Sequence, residues 1–432
     1  MKRLILICLM LAAADLALEG QTRTLGLDDC IGLALQRNPE ILLGRIACDK
    51  SRTELLQSEA ELFPTLNLYA NQYYNWGRSV DMQELVIVKN RLTRQTSGSV
   101  GASFSLFDGF TSINTVRLKR QLLLAEGDNA RRIEAEVKAE VARAYLGNIL
   151  ARLERSRLGE SLKAMEGQAA RLTLEVEAGS ATRSGILEME AKMAEIQSQI
   201  ADASARENMQ LVKLKALTGC GESFATDTLL PPLASEPPAA GIHALADAMP
   251  AVAAARHNLK AAELALKVAK GSLLPSLSVS AAYGTYYSDA AAATFRQQLE
   301  NNHNPSISLG LSVPIFNAGK GAAAVAAARA DLSASRIRLQ QAMDQSKNEL
   351  AQLEQDCRAL HVQLLAAICS EELYLKRFEC ATAEYESGTI STSEWIDACE
   401  DLARSRCALA QAWCKYLFQK KIMEFYEDAI KG

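Results

Sequence analysis

The chain has 432 residues, a formal net charge of −4 and 6 % aromatic residues. That length allows two or three ordinary domains or one large elongated one. The near-balanced charge removes any electrostatic case for nucleic acid, and abundant Ala beside few aromatics suits long, closely packed helices.

The chain opens "MKRLILICLMLAAADLALEGQ". Lys2 and Arg3 precede an apolar run from Leu4 to Ala14, followed by small residues. This layout predicts a secretory signal over residues 1–20, too short to remain as a spanning helix. Cleavage after Ala14 or just before Gln21 both fit. Cys8 lies inside the apolar run with no small residues before it, which argues against a lipidated cysteine. No later stretch holds 18 consecutive apolar residues, so no membrane-spanning helix is expected.

From Asn38 onward the sequence reads as one plan used twice. "NPE" at Asn38–Glu40 answers "MPA" at Met249–Ala251, and Pro64 answers Pro275, both at an offset of 211. "LFDGF" (Leu106–Phe110) answers "IFNAG" (Ile315–Gly319), and Gly179 answers Gly388, both at 209. Several anchors at two consistent offsets indicate an internal duplication. The halves are 21–230 and 231–432, joined by the proline-rich "LLPPLASEPPAAG".

Each half starts with a helix, at Pro39 with Asn38 as N-cap and at Pro250, reaching Leu62 or Leu273. Two alternating strands follow: Thr65–Trp76 and Gly98–Phe107, then Ser276–Tyr287 and Ser306–Phe316. Polar loops are expected between the strands of each pair. Long helical stretches come next, Thr115–Glu177 and Lys320–Tyr385, each ending near a glycine and followed by a return helix. At 1.5 Å per residue such helices reach ~100 Å, which predicts extended antiparallel hairpins packed side by side.

The strands are the unusual part. Ile307, Leu309, Leu311, Val313 and Ile315 alternate with Ser308, Gly310 and Ser312, one greasy face against one of small residues. Each strand has the length that crosses a bilayer when tilted. Tyr69, Tyr73, Tyr74, Trp76, Tyr283, Tyr286 and Tyr287 gather toward strand ends, where membrane barrels carry aromatic girdles. A soluble sheet packed on a helix gives the same alternation. Lipid contact is the reading favoured by the small polar opposite face and the long loops. Four strands cannot close a barrel, and an open edge is not tolerated in lipid, so several copies must complete one.

The duplication, the junctions "LFDGF" and "PIFNAGK", and the "AGS" and "SGT" turns after long helices resemble the TolC-like outer membrane efflux proteins over about Leu25 to Tyr426. The resemblance implies a mainly α protein with a membrane β-barrel part. Long helical hairpins would form a periplasmic α-barrel, and four strands per chain a trimeric twelve-stranded barrel in outer membrane lipid. It implies a passive exit duct of a tripartite efflux or type I secretion system, docking a periplasmic adaptor and an inner-membrane pump or exporter. The turns at Gly179 and Gly388 would then be the adaptor-docking tip. Glu394 and Asp397, six and nine residues past Gly388, match an acidic gate pair, and Tyr385 matches a tyrosine before the turn. Ile390 stands where a basic partner is expected. In the first half Glu188 matches and Gly185 does not. The alternative for Glu394 and Asp397 is a pair of solvated helix-face charges.

Rival classes fare less well. His243, His257, His303 and His361 are scattered, and "NAGKGA" lacks the leading glycine and the Ser or Thr of a phosphate loop. No catalytic, cofactor or metal site is therefore expected. A periplasmic helical-hairpin adaptor, or a structural coiled coil, explains the signal and the helices but not the four strands. Ten cysteines contain no C-x-x-C pair, so zinc is not expected. Cys380 with Cys399, Cys369 with Cys407, and Cys357 with Cys414 lie at matching heights about Gly388. Either small residues packing between helices or cross-helix disulfides would fit.

Overall fold

A computed structural model describes residues 23–80, 87–178, 183–220, 224–227, 242–289 and 293–431. The expected signal (1–20), most of the proline-rich joint and Gly179 lie outside them. In chain order the elements are β1 (Arg23–Leu25), α1 (Leu27–Arg37), α2 (Pro39–Ala60), β2 (Thr65–Val80), β3 (Ile87–Phe107), α3 (Thr111–Glu177), α4 (Arg183–Thr218) and β4 (Phe224–Thr226). The second half has a 3-10 turn (Ile242–Ala248), α5 (Pro250–Gly271), β5 (Ser276–Ser288), α6 (Phe295–Asn301), β6 (Asn304–Ser312), α7 (Lys320–Glu386) and α8 (Thr392–Lys431). Among the described residues no helix is long and apolar enough to cross a membrane.

Two compact units emerge, and neither is one half of the duplication. One draws on Ala47–Gly127 and Ala253–Ala342, the other on Met1–Ile46, Asp128–Val252 and Met343–Gly432.

The first unit holds an antiparallel sheet in the order β2-β3-β5-β6. Thr65 pairs with Ser103 in the first hairpin. Advancing these positions by 211 and 209 gives Ser276 and Ser312, which pair in the second. The repeat read from sequence is thus a repeat in register. Opposed residues share a face, so Leu68, Val100 and Tyr283 form one apolar row, and Leu66, Ala102, Ala281 and Ile307 the next. Ser105, Ser278 and Gly310 lie on the other face. The apolar side is open: Ile307 is 83 % exposed and Leu311 69 %.

Three expectations for this sheet change. Ile87–Ser97, expected in a polar loop, lengthens β3 instead, because the hairpin pairing with β2 continues through it from Val80–Ile87 to Asn71–Ser97. β6 stops at Ser312 rather than Phe316, since Pro314 offers no N–H to a ladder. The aromatics split between faces: Tyr74, Trp76, Tyr283 and Tyr287 share the apolar side, while Tyr69, Tyr73 and Tyr286 take the polar one. A phenol can keep its hydroxyl in water there.

The described part of the β5–β6 connection carries α6. The buried Gln298 of α6 donates to the Ser288 carbonyl and accepts from the Ser288 N–H, each at 2.9 Å. Its amide thus acts as a strand partner where β5 outruns β6. Asn302 donates to the Tyr286 carbonyl at 2.9 Å.

Both strand-to-helix junctions use left-handed backbone, with φ of 68° and 64° at Gly109 and Phe110, and 53° and 80° at Ala318 and Gly319. The α3 helix starts at Thr111, ahead of the expected Thr115, because Asp108 accepts from the Ser112 N–H at 2.7 Å.

Among its described residues the second unit packs helical segments around apolar clusters, two of which matter here. One gathers Leu25, Cys30, Ile41, Val141, Ile149 and Leu214 beside the parallel pair of β1 and β4. Asn38 caps α2 as expected, accepting from the Glu40 N–H at 2.9 Å and donating to the Leu217 carbonyl at 3.0 Å. The other cluster lies beneath the turn at Gly388.

Candidate functional site

The helix-turn end at Gly388 is held by a short chain of local rules. Gly388 has φ of 75°, which a side chain would strain. Its N–H donates to the Tyr385 carbonyl at 3.0 Å, and the Thr389 N–H to the Glu384 carbonyl at 2.9 Å, closing the C-terminus of α7. Four residues on, α8 starts with a capping box. The Ser391 N–H and hydroxyl donate to Glu394 Oε2 at 2.8 and 2.9 Å, and the Glu394 N–H returns to Ser391 Oγ at 3.3 Å. These bonds, the backbone one first, hold the Glu394 carboxyl below its ordinary 4.5.

Beneath the turn, Trp395 is the buried anchor. It stacks near Tyr385 and Phe378, with ring centroids 5.8 and 6.2 Å away, and donates to Thr382 Oγ1 at 3.3 Å. Met165, Leu172, Met189 and Ile196 from the first hairpin pack on it. Gly185 has room for no bulk, since a Cβ there would lie 3.1 Å from Leu172 Cδ2 and 3.3 Å from Thr392 Oγ1.

Polar contacts tie the hairpins. Ser393 Oγ donates to Glu188 Oε1 at 2.9 Å. Lys192 reaches Glu400 at 2.8 Å and Arg171 reaches Glu386 at 3.3 Å. The Lys192 ammonium is held above its ordinary value by its bond to Glu400 and then by Glu195. The Tyr385 hydroxyl lies 3.3 Å from Thr392 Oγ1 and within contact of Trp395.

Each expected site residue now has a place. Glu188 and Glu394 are brought to neighbouring positions through Ser393, and Asp397 is exposed one turn along α8 from Glu394. Tyr385 joins the apolar cluster and is not bonded to either acid. Gly388 makes the turn; Gly179 is outside the described residues. Trp395 was missed, and so was the capping role of Glu394, although "STSE" carries the S-x-x-E signature. With Ile390 in place of a basic residue, cross-hairpin cations come instead from Arg171 and Lys192.

All nine described cysteines are free thiols. Cys399 is buried with its sulfur 3.5 Å from Ser161 Oγ, whereas Cys380 is exposed. Burial pushes the Cys399, Cys407 and Cys357 thiols up, and Cys414 to about 12.

Across residues 30–220 and 242–417 the sequence matches the family model described as outer membrane efflux protein. The chain belongs to the outer membrane efflux protein family. Its relatives include the cation efflux system protein CusC of Escherichia coli O157:H7, 25 % identical over 407 residues, covering 90 % of this chain and 81 % of that protein. The outer membrane efflux protein BepC of Brucella suis biovar 1 is 24 % identical over 327 residues, covering 74 % and 69 %. Crystal structures of CusC superpose with a TM-score of 0.82 at 20 % identity, covering 94 % of this chain and 91 % of that one. The outer membrane protein VceC of Vibrio cholerae superposes at 0.80 with 16 % identity, covering 94 % and 96 %. This outer membrane efflux protein accordingly has the fold expected from sequence: long helical hairpins with four strands in one antiparallel sheet.

Proposed function

We propose that three copies of this chain close a twelve-stranded barrel in the outer membrane and act as the passive exit duct of a tripartite efflux or secretion system. The observation that carries this reading is the pair of end strands. β2 and β6 terminate the sheet, and three antiparallel steps leave them running in opposite directions. One copy's β6 can therefore continue antiparallel onto another's β2, and a closed ring leaves no edge in lipid.

In this reading the apolar face meets lipid and the face of Ser278, Ser280, Ser308 and Gly310 lines the duct. The two halves, 21–230 and 231–432, supply equivalent staves. The chain has no catalytic task; energy comes from an inner-membrane pump coupled through a periplasmic adaptor that meets the turns at Gly179 and Gly388. Glu394, Asp397 and Glu188 ring the mouth, with Tyr385 supporting the turn. Three sets of carboxylates around one axis attract cations, and the relatives named cation efflux system proteins make cations a reasonable cargo class.

Detergent extraction tests the reading. The protein should pellet with outer membranes, need detergent, and form ion-conducting channels in planar bilayers. A chain that stays soluble without detergent fits the helical-hairpin adaptor instead and ends the duct reading.

A further inference from the structure

The internal duplication, together with the register, says how one copy meets the next. Within the chain, the second strand of the first half, β3, pairs with the first strand of the second half, β5: Val100 with Tyr283, Gly101 with Ala282, Ala102 with Ala281. Their counterparts, 209 residues on and 211 residues back, are Leu309 with Gln72, Gly310 with Asn71, and Leu311 with Ala70. These lie on β6 and β2, the two strands with one side unpaired. We infer that a second copy of this chain pairs with the first in this register, repeating across the subunit boundary the β3–β5 seam made within it. The inference rests on the multi-copy barrel proposed above and adds its register.

Three observations support it. First, the register places all 9 residues of β6 on β2 between Tyr69 and Gly77. The seam then ends at Gly77, where the ladder between β2 and β3 shifts. Secondly, neither segment carries a charge: "NPSISLGLS" and "YANQYYNWG" contain no Lys, Arg, Asp or Glu. Exposed edges are ordinarily guarded by charge or proline; in these segments the one such residue is Pro305, second in β6, and the rest of both edges is left open to pair.

The third observation is the joint below the seam. Gly109 and Gly271, beside the β3–β5 seam, are buried against each other. Their counterparts, Ala318 and Ala60, are exposed, and nothing lies within 4 Å of where a Cβ on Gly319 would stand. The same left-handed backbone is built at Ala318 and Gly319 but stands exposed in the single chain. A second copy's Ala60 and Phe63, the counterparts of Gly271 and Leu274, would cover it. Two methyls replace two hydrogens there, so the joint between copies stands further apart than the joint within one.

Cysteine pairs in the full chain, oxidised in isolated outer membranes, test the register. Asn71→Cys with Gly310→Cys and Gln72→Cys with Leu309→Cys are both in register, and adjacent pairs alternate in hydrogen-bonded geometry. At least one should give dimers and trimers on a non-reducing gel, reversed by reductant. Asn71→Cys with Ser312→Cys, shifted by two residues, should not, nor should the parent chain with its native thiols. A three-chain particle in which neither in-register pair links, or in which the shifted pair links faster, overturns the register while leaving the duct intact. A one-chain particle overturns both.

Discussion

Gly109 and Gly271 meet backbone to backbone. A Cβ on Gly271 would lie 2.6 Å from the Gly109 carbonyl oxygen, and a Cβ on Gly109 would collide with the Gly271 carbonyl and lie 2.9 Å from Leu274 Cβ. With Gly109 also at φ of 68°, the exit from β3 and the end of α5 form a joint that only hydrogen atoms can fill.

Alanine at either position should therefore destabilise the sheet-bearing unit. Overpacking costs roughly 1–3 kcal/mol, and Gly109→Ala adds left-handed strain of about 1–2 kcal/mol. Thermal unfolding in detergent should show Gly109→Ala as the more damaging of the two. Ala60→Gly, at the exposed counterpart of Gly271, should have a much smaller effect on a monomeric fragment.

Trp395 anchors the helix-turn end. Replacing it with Ala empties a buried site beside Tyr385 and Phe378 and should cost about 3–5 kcal/mol locally. Hydrogen exchange should accelerate around Gly388 and at the start of α8, while the sheet keeps its protection.

Glu394 has two candidate roles, which a single substitution separates. Gln can occupy the same place in a capping box, so Glu394→Gln should keep the first turn of α8 while removing charge. Combined with Asp397→Asn, it should weaken cation selectivity and multivalent-cation block in single-channel recordings. Unchanged selectivity would leave both acids as solvated helix-face charges.

Acid should loosen the same cap. The folded carboxyl sits below its ordinary 4.5, so its stabilising contribution is present above that value and is lost as pH falls through the lower folded value. Amide exchange at Ser391 and Glu394, corrected for intrinsic rate, should rise in the parent chain as pH falls below 4.5 and through the lower folded value. In Glu394→Gln that rise should be absent.

Much of this fold was legible because its signals are local and used twice. Asn38 before Pro39 named the helix start, and the Pro64–Pro275 and Phe107–Phe316 spacings predicted a duplication that the Thr65–Ser103 and Ser276–Ser312 pairs repeat in register. The length of β3 was not legible, since Ile87–Ser97 is polar and its strand form depends on a partner in β2. At the helix-turn end the turn glycine and acids could be read, but the Trp395 anchor depends on tertiary packing from another hairpin. The thiols are similar. Spacing put Cys380 opposite Cys399, whereas helix rotation turned Cys399 inward to Ser161.

Those thiols give a labelling pattern. In denaturant without reductant every cysteine of the mature chain should react with maleimide. Under native conditions buried Cys357, Cys399 and Cys414 should react slowly, because burial disfavours their thiolates. A shortfall of labelled thiols in denaturant would show disulfides the structure lacks.

The central claim is that one chain is only a third of the channel. Native mass spectrometry of the protein extracted from outer membranes measures this directly. The full-length chain is 46.9 kDa, so the account predicts a particle of three chains, each lighter by the removed signal. A conducting particle of one chain would contradict it.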